Sequence, residues 1–240
     1  MFDLRLIRAE VLKLRRRRGM LAIAVMAIQH GGSPAKHGPA GGLANYREDI
    51  GIVALMGLVV GAIIGATAGT QDIESGVFRD LAATGRSRLA LFAARVAGAW
   101  LVVLPMLALT AGLTAAGTVA LAGSLDAPGA GALTAGTAAV LASAALSTAM
   151  AVGLSALVGS RGPVIGILLA FYLAVQPLLE AMGLLGNLRH AIPEVAVNRI
   201  GDLQPGPAGH VALVTAIVVV VAWSAVALSL GAWRTKTREI

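Results

Sequence analysis

The chain has 240 residues and a net charge of +7; 57% of the residues are hydrophobic and only 13% are charged. A soluble domain carries about 25% charged residues, so this sequence has too little polar surface for a water-soluble globule. The basic residues lie at the edges of apolar runs and aromatic residues make up 4%, which argues against binding of nucleic acid. Cysteine is absent, which excludes disulfides and thiolate metal sites.

The apolar runs are about twenty residues long and lack the alternation of strands, so they predict helices that cross a bilayer. We predict an all-α, polytopic membrane protein whose single transmembrane domain covers residues 1–240. It has six transmembrane helices, an amphipathic N-terminal helix at the membrane surface and a short cytoplasmic helix between two spans.

The N-terminal region combines a basic leader with a short apolar run. Apolar residues recur at helical spacing in residues 1–18 and the arginines lie on other faces, which predicts an interfacial helix. Residues 19–30 are the predicted first span, although the clean apolar run Gly19–Ile28 covers only about 15 Å at 1.5 Å per residue. Glycine and proline follow, so a secretory signal peptide also fits this pattern.

Five longer runs without charge predict further spans, each long enough for a helix that crosses about 30 Å of hydrocarbon. These spans are residues 50–71, 96–122, 132–158, 162–179 and 211–233.

The positions of lysine and arginine predict the orientation of the six spans. If both termini are cytoplasmic, 15 of the 19 basic residues lie inside: seven before Gly19, four between Arg79 and Arg95, Arg161, and three after Trp233. This asymmetry is typical of a bacterial inner-membrane protein with both ends in the cytoplasm.

The span 50–71 carries Gly57, Gly61, Gly65 and Gly69 on one helical face. Such a stripe lets two helix backbones approach closely in lipid. We expect this face to pack against another span, in the same subunit or across a dimer. The span 132–158 carries small residues at the same spacing, but a glycine-rich composition could produce such stripes without a packing role.

The densest polar block in the chain, residues 72–95, lies between two charge-free spans. Ser75 is a favourable N-cap, and Asp72 and Glu74 place negative charge near the N-terminus of the helix that follows. Thr84–Gly85 is a helix stop signal. The block therefore predicts a short cytoplasmic helix, which either docks a partner or lies on the lipid headgroups.

Residues 180–210 precede the last span and mix apolar with polar residues. Met182–Leu188 and Pro193–Ile200 are candidate half-helices that dip into the membrane and form an external gate. A plain extracellular loop is the alternative.

The chain resembles the type-2 ATP-binding-cassette permeases, the membrane subunits of many bacterial exporters. The resemblance rests on the leader "RAEVLKLRRRRGM" at Arg8–Met20, on the block "ESGVFRDLAATGRSRLALFAAR" at Glu74–Arg95, and on the order of the spans. It implies that the leader and the block lie at an interface with a cytoplasmic ATPase. The residues that it implies for coupling are Asp72, Glu74, Ser75, Gly76, Phe78, Arg79, Asp80, Leu81, Thr84, Gly85, Arg86 and Arg88. The short first span departs from the family, in which that span is normally full length.

The sequence contains no Gly-x4-Gly-Lys-Ser/Thr phosphate loop. The resemblance therefore implies that ATP and Mg²⁺ belong to a separate ATPase subunit and that this chain is not itself an enzyme. We expect no cofactor or metal in this chain. The implied assembly pairs two ATPases with two permeases, the second being another copy or a paralogue, and it moves a drug, a lipid-like molecule or a peptide outward.

Two other functions fit the sequence. A membrane assembly factor or anchor that transports nothing would need no ATPase. An ion-coupled carrier is disfavoured, because the five charge-free runs hold no ionisable side chain.

Overall fold

The computed structural model describes residues 42–74, 87–203 and 211–237, with five isolated positions elsewhere. These residues form helices and turns, and no strand occurs among them. Three predicted elements lie wholly or partly outside the described residues. They are the leader 1–18 apart from three of those positions, the short first span 19–30, and the part of the polar block from Ser75 to Arg86.

Three long helices come first: α1 (Leu43–Glu74), α2 (Arg88–Ala120) and α3 (Ala130–Val158). The fourth stretch consists of α4 (Arg161–Ala170), a π-helical turn (Phe171–Val175) and α5 (Gln176–Ala181). A 3₁₀ segment (Gly183–Ala191), the short helix α6 (Pro193–Ile200) and the long helix α7 (Leu213–Thr237) complete the described chain.

Five of these stretches are long and apolar enough to cross a membrane. The described chain is thus an all-helical, multi-pass membrane protein. The sixth span, predicted at residues 19–30, lies outside the described residues.

The helices are longer than the charge-free runs that predicted them. α1 extends to Leu43 and Glu74, beyond the predicted span 50–71 at both ends, and α2 begins at Arg88 rather than at residue 96. A helix ends where its backbone is capped and not where hydrocarbon ends. Ser87 is such a cap, because its hydroxyl accepts a hydrogen bond from the Ala90 N–H at 3.1 Å.

Consecutive long helices run in opposite directions. The Leu43 N–H donates to the Asp126 carbonyl at 2.9 Å, which joins the start of α1 to the turn after α2. At the opposite end, Asp72 of α1 meets Arg95 of α2. We call these two ends of the bundle the Arg47 end and the Asp72 end, after charged residues near each.

The helix α3 lies at the centre of the bundle, in contact with α1, α2, α4, α6 and α7. By contrast, α7 exposes large apolar side chains such as Val214, Val218 and Trp233. Apolar side chains on the outside of a bundle are compatible with lipid as the surrounding solvent. The helix α3 is therefore the central element of the described bundle, whereas much of α7 lies on its outside.

Candidate functional site

A buried ion pair joins α1 and α2 at the Asp72 end. Arg95 Nη2 donates to Asp72 Oδ2 at 3.2 Å, and the two side chains are only 2% and 5% exposed. Because charge in a low-dielectric interior is costly unless it is paired, each residue stabilises the buried charge of the other. The pair fastens the end of α1 to the start of α2, on both sides of the polar block.

Asp72 is also one of the coupling residues that the resemblance implies, and that role stays a prediction. The carboxylate lies inside the bundle against Arg95 and not at its surface. Arg88 is the first residue of α2, directly after the Ser87 cap. The coupling residues from Ser75 to Arg86 lie outside the described residues, and for Glu74 only the backbone, at the end of α1, is described.

Arg95 was not predicted from the sequence as a functional residue. The signal was present: an acid and a base stand at the inner edges of two apolar runs that flank one polar block. Two opposite charges in those positions come close together when the helices run antiparallel.

The four glycines of α1 lie against α3 in the same chain. A Cβ atom added at Gly61 would lie 2.9 Å from the Ala144 carbonyl oxygen, and one at Gly65 would lie 2.7 Å from the Thr148 carbonyl oxygen. Cβ atoms at Gly57 and Gly69 would meet Ser143 and Ser155 at 2.6 and 2.5 Å. Side chains at these positions would therefore force the two helices apart.

The small-residue stripe of α3 provides the other half of this contact. Ser147 donates to the Leu58 carbonyl across the seam, and Ser155 donates within its own helix to Ala151 at 2.6 Å. The opposite face of α3 has a second close approach, because a Cβ at Gly153 would overlap the Ala227 carbonyl of α7. Gly153 was not predicted from the sequence as a close contact, because it lies out of register with Ala151 and Ser155.

The fourth membrane stretch changes its winding before Pro177. The Gln176 N–H bonds to the Phe171 carbonyl, which is an i to i−5 bond, and residues Phe171–Val175 form a π-helical turn. Proline has no N–H and its ring collides with the preceding turn, so the helix widens here. The turn sets the direction of Gln176, whose residue surface is 0% exposed.

Gln176 connects this stretch to α6 at the Arg47 end. Its Oε1 accepts a hydrogen bond from the Glu194 backbone N–H at 3.0 Å, which caps the first turn of α6. Glu180 is buried nearby, and Arg189 donates to the Glu180 backbone carbonyl at 3.3 Å. Burial, reinforced by the Glu180 carboxylate, raises the pKa of Glu194 above its ordinary value.

The carboxyl corner formed by Glu180 and Glu194 was not predicted, because both residues lie outside the charge-free runs that located the spans. The helical stretch Arg161–Ala181 extends past the predicted limit at residue 179 and includes Glu180. Ionisable side chains are therefore buried at both ends of the bundle, at Asp72 and Arg95 and at Glu180.

A groove of about 740 Å³ opens between α1 and α6 at the Arg47 end. One wall is apolar and includes Ile52, Leu55 and Leu58 of α1. Arg47, Glu48 and Glu194 are among its polar lining residues. The helix Pro193–Ile200 coincides with one predicted half-helix, whereas the other predicted half-helix, Met182–Leu188, lies largely within the 3₁₀ segment Gly183–Ala191.

Comparison of the chain with models of known protein families and with curated proteins found no match. The functional interpretation therefore depends on the membrane helices and on the residues described above.

Proposed function

We propose that this chain is the membrane-spanning permease subunit of an ATP-driven exporter in a bacterial inner membrane, with both termini cytoplasmic. The observation that carries the proposal is the Asp72–Arg95 pair. It connects the end of α1 to the start of α2, the two helix ends that flank the polar block in the sequence. A force on the polar block would therefore act on α1 and α2 together, because the ion pair joins these two helix ends.

The α1 helix is suited to carry such a displacement across the bilayer. Its 32 residues span about 48 Å at 1.5 Å per residue. The glycine seam holds α1 against α3 through close backbone contacts, so the two helices move together. At its other end α1 lines the groove beside α6. A push at the Asp72 end therefore changes the shape of the groove at the Arg47 end.

The energy source in this proposal is a separate cytoplasmic ATP-binding-cassette subunit, which binds ATP and Mg²⁺. By resemblance, Arg79, Asp80, Arg86 and Arg88 contact that subunit. The second permease in the assembly is another copy of the chain or a paralogue. The cargo is a drug, a lipid-like molecule or a peptide.

Co-purification tests this proposal. The full-length chain, tagged and extracted from its native membrane in mild detergent, should retain a subunit that hydrolyses ATP. The double reversal Arg79→Glu/Asp80→Arg should release that subunit or uncouple its hydrolysis from the permease. Lys236→Glu, at the end of α7, is the control, because it changes charge at the same end of the bundle outside the block.

Two results would overturn the proposal: no ATP-hydrolysing subunit accompanies the intact chain, or the double reversal behaves like Lys236→Glu. A membrane anchor or assembly factor would give the first result.

The buried carboxyl corner favours an ion-coupled carrier as a second candidate. Glu180 is buried at the end of a membrane stretch, with Glu194 beside it, and buried ionisable groups in membrane proteins often bind coupling ions. A carrier would retain no ATPase, and its transport would collapse with the ion gradient while ATP is still present.

A further inference from the structure

We propose that the groove between α1 and α6 binds an amphiphilic cation, a largely apolar molecule that carries one positive charge. The site does not depend on the transport function proposed above, because binding to the resting protein is sufficient. Three features carry the proposal: the shape and lining of the groove, the pairing of Arg47 with Asp202, and the position of Glu194.

The groove is a cavity of mixed polarity and of the size that holds a small organic molecule. Its volume of about 740 Å³ lies within the range of ligand pockets. Ile52, Leu55 and Leu58 of α1 form an apolar wall, and Val197 and Leu203 add apolar surface from the opposite side. An apolar ligand body would bury its surface against these side chains.

Three charged side chains line the groove among the described residues. Arg47 is the only basic residue among the described lining residues, and its Nη2 lies 2.7 Å from Asp202 Oδ2, which neutralises it. Glu48 and Glu194 also line the groove. Of these two acids, Glu194 has a carboxylate oxygen that makes no hydrogen bond to the described residues, so it is the group that attracts a cation.

Glu194 is the side chain that selects for positive charge. Its Oε2 is buried and makes no hydrogen bond to the residues that the structure describes. The neighbouring groups are Gln176 and Glu180 from α5, so the element behind Glu194 supplies no compensating cation. A carboxylate withdrawn from water without a partner is costly, and a bound cation would lower that cost.

The charged groups around Glu194 determine how binding changes with pH. Glu180 on α5 and Glu48 on α1 are acidic, Arg47 is paired with Asp202, and Arg189 donates to backbone carbonyls at Glu180 and Pro207. The α3 and α7 faces against α6 contribute no charged side chain in the described region. Binding is therefore expected to require ionised Glu194, and to be lost on acidification at a higher pH than for an ordinary carboxyl.

The experiment measures binding of radiolabelled tetraphenylphosphonium to the full-length protein in lipid nanodiscs by equilibrium dialysis. This probe keeps its charge at every pH, so any titration belongs to the protein. Tetraphenylborate, with the same shape and the opposite charge, is the matched probe. We expect saturable binding of the cation, no saturable binding of the anion, and loss of cation binding on acidification.

Two variants test the two walls of the groove. Glu194→Gln should weaken cation binding by about tenfold, the effect of losing one partly buried ion pair. Ile52→Trp should block binding while every charge remains. The controls are Asp126→Asn, an exposed acid at the same end outside the groove, and Val214→Trp on the exposed face of α7. Both controls should bind as the parent chain does.

Two outcomes would overturn the proposal, because each would indicate that the probes partition into lipid. One is equal uptake of both probes, and the other is cation binding that neither Glu194→Gln nor Ile52→Trp alters. The pH titration of the parent chain needs no variant. It decides the matter if Glu194→Gln fails to fold, and pH-independent binding would contradict the inference.

Discussion

At the scale of single residues, two ion pairs in this chain have opposite environments. Asp72–Arg95 is almost fully enclosed, whereas the side chains of Arg47 and Asp202 are 37% and 61% exposed. Removing one member of a buried pair leaves the other charge in a low-dielectric environment without that opposite charge. When one member of an exposed pair is removed, water and salt ions compensate the charge that remains. The two pairs therefore make a matched comparison.

We predict that Asp72→Asn lowers the free energy of unfolding by about 3–5 kcal/mol, because the buried guanidinium of Arg95 then loses the charge of this carboxylate. Asp202→Asn should change it by less than about 1 kcal/mol, and asparagine tolerates the positive φ of 49° at this position. Denaturant unfolding in mixed micelles, followed by circular dichroism, measures both changes.

The exchanged pair Asp72→Arg/Arg95→Asp provides the control for this prediction. It should recover part of the stability that either single reversal loses. If the exchanged pair instead lost as much stability as the two single reversals together, the two residues would not interact.

The raised pKa of Glu194 predicts a second effect, on the pH dependence of stability. An acid whose pKa is higher in the folded protein than in the unfolded chain binds its proton more tightly when folded. Its contribution is therefore favourable at low pH and is lost as the pH rises from the ordinary carboxyl pKa through the raised value. Thermal unfolding across this pH window should show the loss in the parent chain.

Glu194→Gln should remove that component of the pH profile, because glutamine does not titrate. Asp126→Asn should leave it in place. A profile that is the same in the parent chain and in Glu194→Gln would contradict the assignment to this carboxyl.

At the scale of elements, the α1–α3 seam tests whether glycine is required by packing or only reflects composition. The chain has 30 glycines, and at several of them an added Cβ atom would meet no neighbouring atom. At Gly112 in α2 an added Cβ would have no neighbour within 4 Å, whereas at Gly65 it would meet backbone and side-chain atoms of α3 at 2.7 Å.

We predict effects of opposite sign for the same substitution at these two positions. Gly65→Ala should destabilise the protein by about 1–3 kcal/mol, because the α3 backbone must move away. Gly112→Ala should be neutral or stabilise it by up to about 1 kcal/mol, since alanine is the better helix former. Unfolding of both variants under identical micelle conditions checks the signs, and destabilisation of similar size at both positions would contradict the packing role.

At the scale of the whole molecule, the antiparallel order of the helices places Ser87 and the end of α7 at the Asp72 end, opposite the 3₁₀ segment. The absence of cysteine permits single-cysteine labelling without a background. Ser87, Lys236 and Leu184 are exposed, and Leu184 is 96% exposed at the Arg47 end.

We predict that an impermeant maleimide labels Leu184→Cys in intact cells and labels Ser87→Cys and Lys236→Cys only in inverted membrane vesicles. Labelling of all three from one side would contradict the described antiparallel arrangement. A reversed pattern would keep the fold but place the block outside, and it would remove the basis for a cytoplasmic ATPase partner.

The sequence by itself determined that this is a helical membrane protein. The charge-free runs located five membrane stretches, because an apolar segment of that length has no stable place in water. It also located the close-packing candidates at Gly57–Gly69, since a stripe of glycines on one helix face is visible in the spacing alone.

Only the tertiary structure decided which residues meet. Three contacts depend on which helices are neighbours and on how far the helices extend: Asp72 with Arg95, Gly65 with Thr148, and Gln176 with the start of α6. Hydrophobicity selects lipid over water for each span but favours no particular neighbour, because lipid tails are as apolar as the helices. Close backbone approach and the pairing of buried charge decide the neighbours, and both are properties of two segments together.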